Sequence, residues 1–231
     1  MLFRSGGLLL KKETQFFNNF FNNVEHPFVA VIGGAKVSSK IGILSQLIKK
    51  VDTLLIGGAM AYTFLKAQGY LVGKSLVEDD KLTIAKTLLQ TAAELRVKVI
   101  LPIDTVVCED IELKENITIV SSDNICATQM GVDIGPKTIE RFISEINLAK
   151  TIFCNGPLGI FDKDEFSNGT KKVLKAIAES DAFSVVGGGD SILALQKLNL
   201  MKDIDFVSTG GGASLEYLEG KKLPGIKVLD C

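Results

Sequence analysis

The residues best suited to chemistry in this 231-residue chain stand beside glycines. Lys36 and Lys40 follow Gly33-Gly34, Asn155 precedes Gly156-Pro157, and Asp190-Ser191 follow Gly187-Gly188-Gly189. Ammonium groups neutralise phosphate oxygens as point charges. Free N–H groups at a helix start add the positive end of the helix dipole, and glycine lets a ligand approach them closely. The four-residue spacing of Lys36 and Lys40 predicts a shared helix face beside the first glycine turn. Taken alone, two solvated lysines is the plainer reading of that pair. Asp190 reads first as a helix N-cap. At a phosphate site the same carboxylate can share Mg²⁺ with the phosphates. The sister cluster Ser208–Gly212 has the same design without the acid, so one acidic member of the pair suits a metal-bound nucleotide.

These groups need a scaffold that brings them together. Ten of the 22 glycines fall in four clusters, Gly33-Gly34, Gly57-Gly58, Gly187–Gly189 and Gly210–Gly212. Each follows a short apolar or β-branched run, at 28–32, 53–56, 183–186 and 206–209, and each precedes a helical pattern. Runs at 98–101 and 151–154 share the pattern, and helices are predicted at about 38–50, 60–68, 79–95, 138–147, 168–179, 191–198 and 213–219. Strands alternating with helices imply βαβ units around a parallel sheet covered on both faces. Residues 103–120 read as a small β excursion. Ligands of such sheets bind beyond the carboxyl ends of the strands, where all four glycine clusters fall. The expected fold is α/β, a three-layer Rossmann-like domain with a six-stranded parallel sheet.

Several alternatives lose support. Gly69-Tyr-Leu-Val-Gly73-Lys74-Ser75 has three residues between its glycines where a phosphate-binding P-loop needs four. It follows a helical pattern rather than a strand, so it reads as a helix C-cap loop. No G-x-G-x-x-G opens the first βαβ unit, which weighs against a dinucleotide oxidoreductase. Net charge is −1, which gives no support for a nucleic-acid surface or a polybasic membrane surface. Hydrophobic residues are 46% and charged residues 23%, ordinary for a soluble globular chain. No apolar run approaches a bilayer span, and Met1–Ser5 does not read as a secretory signal. Cys108, Cys126, Cys154 and Cys231 form no C-x-x-C pair, so a reducing, cytoplasmic setting is expected. Only Arg4, Arg96 and Arg141 are arginines, few for gripping a small polyanion. His26 reads as a solvated loop residue. Phe16, Phe17, Phe20, Phe21 and Val24 form an apolar helical stripe that needs a covering surface.

The motifs Gly33-Gly34-Ala35-Lys36-Val37, Asp133-Ile-Gly-Pro-Lys137, Asn155-Gly-Pro157, Gly187–Asp190 and Ser208-Thr-Gly-Gly-Gly-Ala-Ser-Leu-Glu216 closely resemble phosphoglycerate kinases, in order and spacing. The resemblance runs from about residue 8 to the end and covers the carboxyl-terminal half of such chains. It implies an interdomain-type helix and partial start at 1–27 and a nucleotide-binding domain at 28–231. The implied reaction is reversible phosphoryl transfer between 1,3-bisphosphoglycerate and Mg-ADP, giving 3-phosphoglycerate and Mg-ATP in glycolysis. The implied partners are ADP or ATP, with Mg²⁺ as cofactor. Phosphoglycerate would need the amino-terminal domain of the family, so the chain alone is expected to turn over poorly or not at all. Such kinases are usually monomeric.

The resemblance gives catalytic roles to Lys36, Gly188 and Gly211. It places the nucleotide at Gly34, Lys36, Lys40, Gly57, Gly58, Gly131, Asn155, Leu158, Asp162, Gly188, Gly189, Asp190 and Ser191, and Mg²⁺ at Asp190. Asp162 stands where the family usually has the longer Glu, Cys154 where Trp is usual, Phe206 where His is common, and Ala59 where a third glycine is often found. The alternative is a stand-alone nucleotide-binding module without catalysis.

Overall fold

A computed structural model describes residues 7–228, so Met1–Ser5 and Cys231 lie outside it. From the amino end come α1 (Leu8–Phe20), β1 (Phe28–Ile32), α2 (Ile41–Leu47), β2 (Thr53–Ile56), α3 (Met60–Ala67), β3 (Leu71–Val72), α4 (Leu82–Glu94) and β4 (Lys98–Ile100). The middle holds β5 (Asp104–Cys108), β6 (Thr118–Ser121), β7 (Asn124–Ile125), β8 (Met130–Ile134), α5 (Pro136–Ile146) and β9 (Thr151–Asn155). Then follow α6 (Asn168–Ala178), β10 (Phe183–Gly187), α7 (Gly189–Lys197), β11 (Phe206–Ser208), α8 (Gly212–Leu218) and α9 (Pro224–Lys227).

The main sheet has six strands in the order β11-β10-β9-β1-β2-β4, all parallel. Both faces are covered, as the continuous apolar strands require. Alternation along β1 shows how. Phe28, Ala30 and Ile32 enter a core with α1, α2, α3, α4 and α8, while Val29 and Val31 enter a second core with α5, α6 and α7. Phe28 and Phe153 are fully buried, each stabilising the fold by about 1.5–3 kcal/mol.

The phenylalanine stripe of α1 is covered from within the chain. Phe16 stacks on Phe206 with centroids 3.6 Å apart, and Phe20 meets Phe28 edge-on at 5.9 Å. Buried Glu13 lies one turn before Phe17 on the same face of the helix. It accepts from Ser208 Oγ and Thr209 N–H at 2.8 Å each, which ties α1 to the end of β11.

The segment after β4 is larger than the expected excursion. β5 lies between β6 and β8 in a three-stranded antiparallel sheet, and β3 pairs with β7. Asp104 of β5 satisfies the first turn of α5, accepting from Lys137 N–H at 3.0 Å, Thr138 N–H at 2.7 Å and Thr138 Oγ1 at 2.7 Å. The loop at Gly69 is a helix C-cap as read: Tyr70 N–H returns to the Leu65 carbonyl at 3.1 Å, with Gly69 at φ +95°. His26 is exposed and bonds Asp52 at 2.6 Å.

The order in which strands are added reverses between β1 and β9, although the two strands run parallel. Successive strands run outward from β1 through β2 to β4, and from β9 through β10 to β11. The two glycine turns interlock at this seam: Gly33 N–H donates to the Asn155 carbonyl and Gly34 N–H to the Pro157 carbonyl, both at 2.9 Å. A Cβ on Gly33 would stand 2.1 Å from the Pro157 oxygen, a backbone atom that cannot swing aside. Gly33→Ala is therefore expected to cost about 1–3 kcal/mol of stability. Thermal unfolding followed by circular dichroism checks this, with an unchanged midpoint the contrary result.

Candidate functional site

A cleft of about 440 Å³ opens at the carboxyl ends of β1, β2 and β9, on the seam. One wall is Gly34, Ala35, Gly58, Ala59 and Tyr62; the other is Pro157, Leu158, Gly159, Ile160 and Phe161. β8 closes the bottom with Met130, Gly131 and Val132, and Lys74 and Leu76 reach in from the β3 loop. Asp162, Asp190 and Leu193 stand at the rim. The lining is mostly apolar with a few convergent polar groups, the usual make-up of a small-molecule site.

Neighbouring strands position the walls by backbone contacts. Gly58 N–H donates to the Leu158 carbonyl and Met60 N–H to the Gly34 carbonyl, both at 3.0 Å. Gly57 packs directly on the Leu158 side chain, and Gly131 on the Tyr62 ring. Burial of Tyr62 pushes its phenol up, so it stays neutral.

A second group of residues lies along the same sheet edge, beside the cleft. Lys40 Nζ donates to Asn155 Oδ1. Asn155 is 1% exposed, and its amide nitrogen Nδ2 is buried with no hydrogen-bond partner. Gly188 lies against that amide: a Cβ there would sit 3.0 Å from Nδ2. Gly188 is also the N-cap of α7 at φ +94°, a conformation side chains resist. Gly189 and Asp190 are exposed in the first turn of α7. Ser191 is buried and its Oγ accepts the Gly156 N–H at 2.8 Å, bracing the turn after β9. Burial holds the Lys40 ammonium below the ordinary lysine range, opposed by Asp190, Cys154 and Glu219. Beneath it, burial raises the Cys154 thiol to about 12, which keeps it an inert thiol.

Lys36 and Lys40 do not share a helix face. Lys36 is extended, with φ −128° and ψ +128°, and precedes a 3₁₀ turn at Val37–Ser39. Lys40 follows that turn, and α2 begins only at Ile41. Serines 38 and 39 prefer local turn bonds to helix continuation: Ser39 Oγ donates to the Lys36 carbonyl at 2.8 Å. Lys36 is exposed and forms no ion pair among the described residues, while Lys40 is half-buried. Gly211 caps α8 at φ +56° in the turn after β11, the edge strand of the sheet. Asp162 is largely exposed and lies 3.9 Å from Lys197.

Reading the sequence missed the floor and back of the site: Tyr62, Lys74, Met130, Val132, Ile160 and Phe161. It also gave no role to Asp133. This carboxylate is buried behind the wall, accepting from Ile134 N–H at 2.9 Å and from Gly169 N–H at 2.8 Å. It thereby ties β8 to the start of α6, at the far end of the loop that forms the cleft wall. The quoted Asp133-Ile-Gly-Pro-Lys137 motif was the signal that could have found it.

No group of three or more His, Cys, Asp or Glu side chains among the described residues is placed to hold a metal by itself. Asp190, one exposed carboxylate at a helix start, would hold Mg²⁺ only together with ligand phosphates that complete its coordination. None of the helices among the described residues is long and apolar enough to cross a membrane.

Fold and cleft define an α/β protein with its ligand site at the topological switch point of a doubly wound sheet. The chain matches the phosphoglycerate kinase family over residues 1–221. Phosphoglycerate kinase from Thermosipho africanus is 53% identical over 224 residues, covering 95% of this chain and 56% of that one. The enzyme from Borreliella burgdorferi (strain ZS7) is 51% identical over 225 residues, covering 97% and 57%. The structure of phosphoglycerate kinase from Coxiella burnetii superposes with a TM-score of 0.90 at 44% identity, covering 95% of this chain and 57% of that chain. This chain belongs to the phosphoglycerate kinase family, and it spans a little over half the length of these relatives.

Burial raises Asp133 to about 7, against the pull of the Gly169, Ile134 and Asn168 N–H groups and of Lys171. An acid with a raised folded-state pKa binds more protons folded than unfolded, so its contribution falls as pH rises from about 4 to about 7. The slope is at most about 1.4 kcal/mol per pH unit. Asp133→Asn is expected to flatten that part of the profile, measured by urea unfolding at pH 5 and pH 8. An unchanged slope would contradict it.

Proposed function

We propose that this chain is the nucleotide-binding half of a phosphoglycerate kinase. It would take part in reversible phosphoryl transfer between 1,3-bisphosphoglycerate and Mg-ADP, giving 3-phosphoglycerate and Mg-ATP. The observation that carries the proposal is the buried, unpartnered Asn155 amide beside Lys40 and Gly188. An unmet buried donor costs roughly 1–3 kcal/mol, and a phosphate oxygen next to Lys40 would meet it. The apolar cleft alongside is suited to a base and ribose, with Leu158 and Gly131 against the base and Asp162 at the rim for the ribose hydroxyls.

Phosphoryl transfer depends on positioning and charge stabilisation more than on covalent chemistry. Here Lys40, Asn155 and the first turn of α7 would fix the nucleotide phosphates. Lys36 and the α8 start at Gly211 would meet the charge of the transferring group. Mg²⁺, held by Asp190 with the nucleotide, would supply neutralising charge on the phosphates. Neither Arg96 nor Arg141 lines the cleft, so arginine forks for the phosphoglycerate must come from outside it. This favours nucleotide binding with poor or no turnover by the chain alone, which also fits a stand-alone nucleotide-binding module.

Calorimetric titration with Mg-ADP tests the proposal. Lys40→Ala and Asp190→Ala are each expected to weaken binding by about tenfold, the worth of one charge-assisted contact. Equal affinity in all three proteins would overturn the phosphate assignment. In a coupled assay, near-normal turnover by the 231-residue chain would overturn the assignment to half an enzyme.

A further inference from the structure

Lys36 is exposed, in an extended loop, and forms no ion pair among the described residues. A flexible ammonium of this kind stabilises developing charge poorly unless its backbone is fixed. A carboxylate from a distant segment helps to fix it. Glu78 lies in the segment between β3 and α4, 40 residues further along the chain from Ser38. Its two carboxylate oxygens both close on the turn after Lys36. Oε1 accepts the Ser38 hydroxyl at 2.6 Å and Oε2 accepts the Ser38 N–H at 3.0 Å.

Burial would raise the Glu78 carboxyl. The Ser38 hydroxyl and the Ser38 and Val37 N–H groups outweigh it and hold the group below the usual range, so the charge persists at neutral pH. On the other side of the turn Val37 is fully buried, and Ser39 Oγ holds the Lys36 carbonyl. Glu78 is itself anchored, its N–H donating to buried Thr63 of α3 at 3.1 Å. Its own segment forms the opposite end of the cleft. Leu76 and Lys74 line it, and Ser75 Oγ accepts the Gly131 N–H at 2.9 Å. The stretch 74–78 therefore touches the cleft at one end and the Lys36 turn at the other.

We propose that Glu78 is a positioning residue: its carboxylate fixes the turn that presents Lys36 and links that turn to the segment that lines the cleft. The inference rests on the phosphate role given to Lys36 above. It concerns a residue that touches no ligand and acts only through Lys36.

A double-mutant cycle on the 231-residue chain tests it, titrating Mg-ATP and, separately, adenosine. Lys36→Ala is expected to weaken Mg-ATP about tenfold and Glu78→Ala by about three- to tenfold. The double variant should match Lys36→Ala alone, because residues acting through one group are non-additive. Adenosine affinity should stay within about twofold throughout, since no phosphate is present for Lys36 to meet. Ser38→Ala removes only the hydroxyl donor and should show a smaller loss of the same pattern. It carries the test if circular dichroism shows Glu78→Ala unfolded. Multiplying losses in the double variant, or an equal loss for adenosine, would overturn the positioning role. A loss in Lys36→Ala with none in Glu78→Ala or Ser38→Ala would overturn it while leaving the Lys36 assignment intact. No loss in Lys36→Ala would bring down both.

Discussion

The seam between β1 and β9 is the constraint on which the rest of the structure depends. Two parallel strands that were distant in sequence end side by side, and their turns are joined backbone to backbone through Gly33, Gly34 and Pro157. Much of the candidate site hangs from that join. Lys36 and Lys40 leave it on one side, Asn155 and Leu158 on the other, and the turn after β2 adds Gly57 through the Ile32 carbonyl and Gly58 through the Leu158 carbonyl. Because the sheet is parallel, each of these groups sits at the same edge without any further arrangement. Side chains at the crossing would force the strands apart and dissolve the wall of the cleft.

The two cores explain why the edge is rigid. Each strand of the centre sends alternate side chains into opposite helical layers, so neither layer can shift without moving the sheet. The polar ties extend this rigidity outward. Asp104 holds α5, Asp133 holds the start of α6, and Glu13 holds α1 against β11. Asp104 and Asp133 satisfy N–H groups in the first turns of α5 and α6, where helix ends would otherwise be left open, and Glu13 satisfies the Thr209 N–H just after β11.

Much of this was legible in the residues. The six strands of the main sheet and the helices between them follow from short apolar runs alternating with helical patterns, four of those runs ending in glycine clusters. The predicted helix ends agree within three residues; α2 starts only at Ile41 because Ser38 and Ser39 turn the chain and a carboxylate 40 residues away completes the turn. No local pattern reports such a partner. β8 was missed for a related reason: Met130-Gly-Val-Asp-Ile134 alternates weakly and gains its strand character from pairing with β5. The cleft floor was illegible because apolar residues lining a cavity look like core residues until the fold separates them. Lys40, Asn155 and Asp190 stood out as candidates because lysine, asparagine and aspartate beside glycine have fewer reasons to be there, and the structure places them along one sheet edge.

The buried Asn155 amide sets stability and use of the site in opposition. It sits on a central strand, in the least yielding part of the molecule, and carries a donor that the folded chain leaves unmet. A small apolar side chain at that position would remove the unmet donor together with the oxygen to which Lys40 donates. Selection for heat resistance alone would therefore drift away from asparagine there. Selection that demands an occupied site would hold it, with the bound anion restoring the lost stability by mass action. Asn155 is thus a position where a directed-evolution experiment can tell which of the two pressures is acting on the chain.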